Sequence, residues 1–306
     1  MRHLRLISLS AAIAASVVGI CPRAWAQACC AGSTAITPAR IGLHDEALVG
    51  IQMQAGNVYG SFSAAGSFRQ SPPSTSEYDF EEDIFGAVRF LKSGQLSLLI
   101  PFVETRRSVP NMSAFAGGMG DINIGARYDF IRARQFKFVP AIALLAGLTV
   151  PTGTSPDAAK KPMATDATGV GAFQGNLGVA LEHLEGHWLF NITGLVAKRA
   201  PHSAHGVTET LGTQFTGMMA CGYAFDNGSA LALLGSYTIE GNATINDVEA
   251  PASSRRIPVV RTVGLIPITD ALSLQGSLFL NPPISSLGRN SSAAYGMTLA
   301  LVRSFS

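Results

Sequence analysis

Any chemistry in this sequence has to come from a few small groupings of side chains. His183-Leu184-Glu185-Gly186-His187 puts two imidazoles and a carboxylate within five residues, the ingredients of a metal site. The order is neither H-E-x-x-H nor H-x-x-E-H, and Gly186 reads as a tight turn, not as a helix presenting both rings on one face. Polar residues flanking a turn are the plainer reading. His202 and His205, around Ser203, fall in an expected loop. Gly169-x-Gly171 with Gly175 and Gly178 has part of a dinucleotide fingerprint, but the following helix and its acidic residue are missing. Such glycines suit a thin wall or a bend in a strand. No serine and histidine form a convincing pair. Catalytic, cofactor-binding and metal-ligating residues are therefore all expected to be absent.

Four cysteines add little. Cys21 lies in an expected leader, and Cys221 sits on the apolar parity of an expected strand, where it acts as a small hydrophobe. Cys29 and Cys30 adjoin the expected mature N-terminus. In an oxidising compartment they could pair with each other, pair with a partner chain, or support metal binding. The 306 residues carry a net charge of +2 and no Lys/Arg cluster, which gives no footing for nucleic acid. Only 14% of residues are charged, 32 are glycine, and mean hydropathy is +0.27. That is greasier than a soluble domain, where about 25% are charged.

The elements that must position any such groups are strands. The chain opens with basic Arg2, His3 and Arg5, an apolar stretch from Ile7 to Ile20, and Ala24-Trp25-Ala26. This predicts an export signal over 1–26 with cleavage after Ala26, since neither Cys21 nor Cys29 follows a good lipobox. An N-terminal periplasmic segment is expected over 27–44 and a barrel over 45–306. The greasiest later segment, Phe138–Val150, is too short for a spanning helix and contains Pro140. An exported, hydrophobic chain without such helices can live in lipid only as a closed barrel.

Alternation supports that fold. From Asp121, one parity reads Ile122, Ile124, Ala126, Tyr128, Phe130, and the other Asp121, Asn123, Gly125, Arg127, Asp129. Successive strand side chains point to opposite faces, so one face is apolar and the other polar. Similar runs predict strands at 45–58, 80–92, 95–106, 119–132, 136–150, 168–184, 186–199, 209–225, 228–240, 255–268, 271–282 and 290–305. Pro258, Arg261 and Pro267 blur the faces of the tenth. Short turns are expected at Lys92-Ser93-Gly94, Arg132 to Gln135, Glu185-Gly186, Asp226-Asn227-Gly228 and Thr269-Asp270. Longer connections fall at 59–79, 107–118, 151–167, 200–208, 241–254 and 283–289, alternating with the short ones throughout. The fold class is thus all-β, a transmembrane antiparallel up-and-down barrel of about twelve strands. A Greek-key sandwich would not produce this rhythm.

The apolar parity should face lipid: Leu96, Leu98, Ile100 and Phe102; Trp188, Phe190, Ile192 and Val196; Leu272, Leu274, Leu278 and Leu280; Tyr295, Met297, Leu299 and Leu301. The other parity should line the lumen with Asp83, Arg89, Asp121, Asn123, Arg127, Asp129, Gln174, Asn176, Glu182, Asn191 and Gln214. A charge facing lipid costs about 2–4 kcal/mol at midplane, so stability alone would turn these residues inward. They either tune a solute path or merely pair with one another. Leu99, Val103, Phe85 and Phe279 share the inward parity, and such a mixed lumen suits a small, partly apolar solute.

Gly120-Asp121, the alternating Ile122 to Tyr128, then Pro140-Ala141, Gly147 and Pro151-Thr152-Gly153 resemble the outer-membrane family of the MetA (meta-cleavage) pathway of phenol degradation, described as transporters. The resemblance is close over about 117–184, and its motifs are Gly/Pro punctuation of strands. It implies a monomeric barrel aiding uptake of small hydrophobic or aromatic compounds in the outer membrane of a Gram-negative cell, and it carries no catalytic residues. The terminal strand, with Phe305 next to last, resembles the signal read by the barrel-assembly machinery. The expected partners are that machinery, outer-membrane lipids and a small solute, with the loop 151–167 (Asp157, Lys160, Lys161, Asp166) at the entrance. The expected function is a porin-like channel or facilitated-diffusion transporter. A closed structural barrel without transport and a lipase-type barrel enzyme are the alternatives.

Overall fold

The computed structural model describes residues 40–306 except 43, 137, 205 and 206. The expected leader over 1–26, Cys21, Cys29, Cys30 and His205 lie outside the described residues. Twelve strands form the wall: β1 Ala47–Phe62, β2 Ser76–Leu91, β3 Gly94–Val109, β4 Ile122–Ile131, β5 Ala141–Val150, β6 Gln174–Glu185, β7 Trp188–Arg199, β8 Gln214–Ala224, β9 Ala230–Glu240, β10 Arg255–Pro267, β11 Leu272–Leu280 and β12 Ser291–Phe305. Each pairs antiparallel with its sequence neighbour, and β12 pairs back onto β1 from Ala47↔Phe305 to Phe62↔Ser291. The sheet is a closed twelve-strand barrel, without an edge in its ring.

Chain reversals explain the strand ends. Both termini of the barrel lie at the end carrying the turns at 92–93, 186–187, 225–229 and 268–271. Gly186 and Gly228 have φ of 57° and 81°, left-handed values that a residue with a Cβ adopts at a cost. The opposite end carries the connections 63–75, 151–173, 200–213, 241–254 and 281–290. Two of these cooperate: the short strands His202–Ala204 and Val207–Thr210 pair onward to Thr244–Ile245 and Val248–Glu249 in a separate small sheet.

Several expected boundaries are corrected. The span 107–118 is not a loop: β3 turns at Pro110-Asn111, where Asn111 has φ 68°, into a strand Met112–Met119 that pairs with Phe102–Val109. Its Ala/Gly-rich sequence hides the alternation. The chain breaks at Gly120-Asp121 before β4 takes over on the lower half of β3. The gap expected at Arg132 to Gln135 runs over 132–140, because Pro140 has no N–H for the ladder and β5 starts after it. The rhythm of long and short connections is therefore less strict than the sequence suggests. The strand expected over 168–184 starts only at Gln174, and that over 209–225 only at Gln214.

Outward side chains form an apolar belt. Ile51, Met53, Ile84, Leu98, Ile124, Leu148, Val179, Ile192, Met219, Leu233, Leu278 and Leu299 are all exposed. At the short-turn end the belt closes on aromatic pairs, Tyr128–Phe130 at 5.1 Å and Trp188–Tyr223 at 5.2 Å between ring centroids. At the other end it closes on exposed Tyr78, Phe80, Phe115, Phe173 and Phe215. From Phe90 to Phe80 on β2, a tilted strand rises about 25 Å, the height of a membrane barrel's lipid-facing band, and the belt is interrupted on this strand by outward, exposed Glu82.

Candidate functional site within the barrel

Inward side chains fall into layers. At the short-turn end, Arg127 Nη2 lies 2.8 Å from Asp129 Oδ1 and 3.0 Å from Glu182 Oε1. Glu182 also pairs with Arg40, in the chain that precedes β1. The neighbouring Ile41 N–H donates to Gln95 Oε1 at 3.0 Å, and Arg89 Nε donates to the Asp45 carbonyl at 3.0 Å. Ile41 is only 5% exposed and packs with Leu48, Phe85, Ala87, Leu99 and Val302. The stretch before the first strand thus occupies this end of the lumen, held by an ion pair, backbone hydrogen bonds and apolar packing. A second apolar group, Ala143, Leu145, Ala180, Leu195 and Met218, lines the facing wall.

Glycines let rings enter the interior. A Cβ on Gly50 would sit 2.4 Å from Phe85 Cζ, and one on Gly296 would sit 2.7 Å from Phe279 Cζ. Phe279 therefore lies flat against the wall, with the Arg261 guanidinium 5.2 Å above its ring.

At the long-loop end, Arg199 Nε donates to Gln174 Oε1 at 2.7 Å, and its Nη1 lies 3.5 Å from buried Glu240. Thr149 Oγ1 donates to Asn123 Oδ1 at 2.6 Å. Asp121 anchors the 151–173 loop: Gly153 N donates to Oδ1 at 2.9 Å and Val170 N to Oδ2 at 2.7 Å. The loop's two carboxylates are held locally, one within the loop and one by the neighbouring connection. Asp166 caps the Lys160 and Lys161 amides, and Asp157 lies 3.3 Å from His202 Nε2.

Of the eleven candidate residues, the structure joins Arg127, Asp129 and Glu182 in one network and links Arg89 to the segment before β1. Asp83 and Asn176 are buried on strand faces, with Asp83 bonded to Gln52 Nε2 at 2.7 Å. Asn191 accepts from Thr193 at 3.0 Å, and Gln214 is half-buried opposite Glu240. Asp121 belongs to a loop anchor more than to a wall. Sequence reasoning missed Arg40, Gln52, Glu77, Asp79, Glu81, Arg107, Arg199, Glu240 and Arg261. Glu81 and Arg199 were legible in alternation, since they share the parity of Asp83 and Asn191 within expected strands, whereas Glu77, Asp79 and Arg107 fell in expected loops. His183 and His187 have separate neighbours, Glu185 at 3.9 Å and Asp226 at 3.8 Å.

No family model matches the chain, and no curated protein matches it. Among solved structures, the COG4313 outer membrane channel from Pseudomonas putida F1 is similar over 89% of this chain and 99% of that chain, with 15% identity and a TM-score of 0.69. That likeness shows the same barrel fold. The transport unit of the autotransporter AIDA-I from Escherichia coli is a looser likeness, covering 85% of this chain and 90% of that one at 10% identity and TM-score 0.46. The NanC porin covers 83% and 99% at 9% identity and TM-score 0.42.

Proposed function

We propose that this chain is an outer-membrane channel or facilitated-diffusion transporter for small hydrophobic or aromatic solutes. The observation that carries the reading is the pairing of an outward apolar belt with a mixed interior, where Leu48, Phe85, Leu99 and Val302 stand beside buried polar side chains. A wide aqueous pore would line its lumen with polar groups alone, whereas a partly apolar solute gains from both surfaces. The fold shared with the COG4313 channel supports a channel, and the resemblance over about 117–184 to the phenol-degradation family supports aromatic solutes. A gradient drives flux; the residues before β1 would have to yield for passage. The 151–173 loop, at the outer end, shapes the entrance.

One observation favours a closed structural barrel instead: Ile41 fills the apolar cluster and Arg40 is paired with Glu182. Uptake into proteoliposomes separates the two. Refolded protein is offered a small aromatic, a sugar and an inorganic ion, against empty vesicles. Selective aromatic uptake is expected. No flux of any solute through a barrel shown intact by heat-sensitive gel mobility would establish the closed form.

A further inference from the structure

Across the outer end of the wall, Phe215 pairs with Ile239, Ile239 with Arg256, and Arg256 with Arg289. Paired residues of antiparallel strands point to the same face, and Phe215 and Ile239 are exposed on the lipid side. The two arginines therefore stand side by side on the outside of the barrel. Their backbones exchange two hydrogen bonds, Arg256 N to Arg289 O at 2.9 Å and Arg289 N to Arg256 O at 3.0 Å. Such a pair sets the Cα atoms about 5.5 Å apart. Arg255, one residue back, turns inward opposite buried Glu240.

Like charges directly opposite each other on a sheet are destabilising. The arginines that form ion pairs among the described residues are Arg40, Arg107, Arg127 and Arg199, so neither Arg256 nor Arg289 has a carboxylate there to neutralise it. Arg256 is exposed, and Arg289 Nε is buried with no acceptor among the described residues. Tyr237 Oη donates to the Leu287 carbonyl at 2.9 Å and pins the connection that carries Arg289. A fixed pair of guanidiniums without an acid suits an anion, and their planar forks of donors match phosphate.

The neighbouring surface selects the kind of phosphate. Two and four residues nearer mid-membrane on the same face of β10 come Pro258 and Val260, and Val260 pairs with Leu280. Val260 and Leu280 are both exposed. A free ion would use the arginines alone. A lipid would set its phosphate on the arginines and its acyl chains on Val260 and Leu280, about 13 Å further along the strand.

We propose that Arg256 and Arg289 form an external binding site for the phosphate of an outer-leaflet lipid, which in an outer membrane is the phosphorylated glycolipid lipid A. The proposal rests on the outer-membrane placement of the barrel and does not depend on flux.

The test titrates the full folded protein in detergent micelles with diphosphorylated lipid A, or with the same lipid stripped of its phosphates, and counts bound lipid by native mass spectrometry. The phosphorylated form should bind at least about tenfold more tightly, and Arg256→Gln and Arg289→Gln should each remove most of that preference. Heat-sensitive gel mobility checks that each variant is folded, and either variant suffices if the other fails to fold. Equal binding of the two lipids, or a preference untouched in the folded variant, overturns the site. Inorganic phosphate is the third probe. In about a hundredfold excess over lipid A it should leave the lipid bound, since it gains nothing from the apolar surface; displacement would mean a free-anion site and overturn the lipid assignment. No arm of the test involves passage, so its failure leaves the transport reading standing.

Discussion

Arg127 on β4 reaches across β5 to Glu182 on β6, with Nη2 3.0 Å from Oε1. The span is possible because the intervening strand shows only Ala141 and Ala143 at that level, both buried and short. Glu182 then binds Arg40, so a single carboxylate ties two wall strands to the chain that lies inside the barrel.

Removing that carboxylate should therefore do two things. Glu182→Ala removes the carboxylate that Arg40 and Arg127 share and should cost about 3 kcal/mol in urea unfolding from lipid or detergent. It should also raise single-channel conductance by loosening Arg40. Lower stability with unchanged conductance would mean that Ile41 packing and the Gln95 and Arg89 hydrogen bonds hold the segment before β1 without the ion pair.

Ile41 is the apolar half of the same attachment. Ile41→Ala removes part of a packed cluster and should cost about 2–4 kcal/mol locally, most of it in release of the segment and little in barrel unfolding. Hydrogen exchange at the Ile41 amide, bonded to Gln95, should quicken while that of β3 and β12 holds.

Outward and inward positions should respond oppositely to charge. Ile192→Arg places a guanidinium in the belt and should destabilise the barrel by about 2–4 kcal/mol, whereas Asn191→Arg, one residue away on the inner face, should alter conductance with a smaller stability loss. Equal costs at both sites would contradict the assigned faces.

The 151–173 loop carries a pH signature. The Lys160 and Lys161 amides hold the Asp166 carboxyl below the usual carboxylate range, and hydrogen bonds from Ser155 and then His202 do the same for Asp157. A depressed folded value means that the closed loop binds fewer protons than the open one, so its order is fully present above the ordinary Asp value near about 4 and declines as pH falls through the lower folded values. Exchange at the Lys160 and Lys161 amides should show no opening-linked change from about pH 8 to 5 and lose protection below about 4. Loss of protection between pH 6 and 8 would contradict this assignment.

Most of the wall was legible because a period of two is set by the backbone itself. Ile122 to Phe130 or Trp188 to Val196 can be read one residue at a time. Even β10, with two prolines, follows the expected limits within one residue. Met112–Met119 was not legible, since Ala114, Ala116, Gly117 and Gly118 offer no contrast between faces. The network was visible only in part. Arg127 and Glu182 stand out by parity, but nothing local shows that Arg40, 142 residues away from Glu182, joins them on the other oxygen of that carboxylate. Asp121 extends the alternation of β4 and so looks like a wall residue, but its role follows from a loop that returns 32 and 49 residues later.

The central claim is that solute passes through the lumen and not along the outside. The most direct measurement is thiol modification during single-channel recording, in a background lacking Cys29, Cys30 and Cys221. Ser277→Cys faces inward and Leu278→Cys outward into the belt. A bulky charged thiol reagent should cut the current of the Ser277→Cys channel at least severalfold and leave the Leu278→Cys channel unaltered. Equal block at both positions, or no current before reagent is added, would contradict the account.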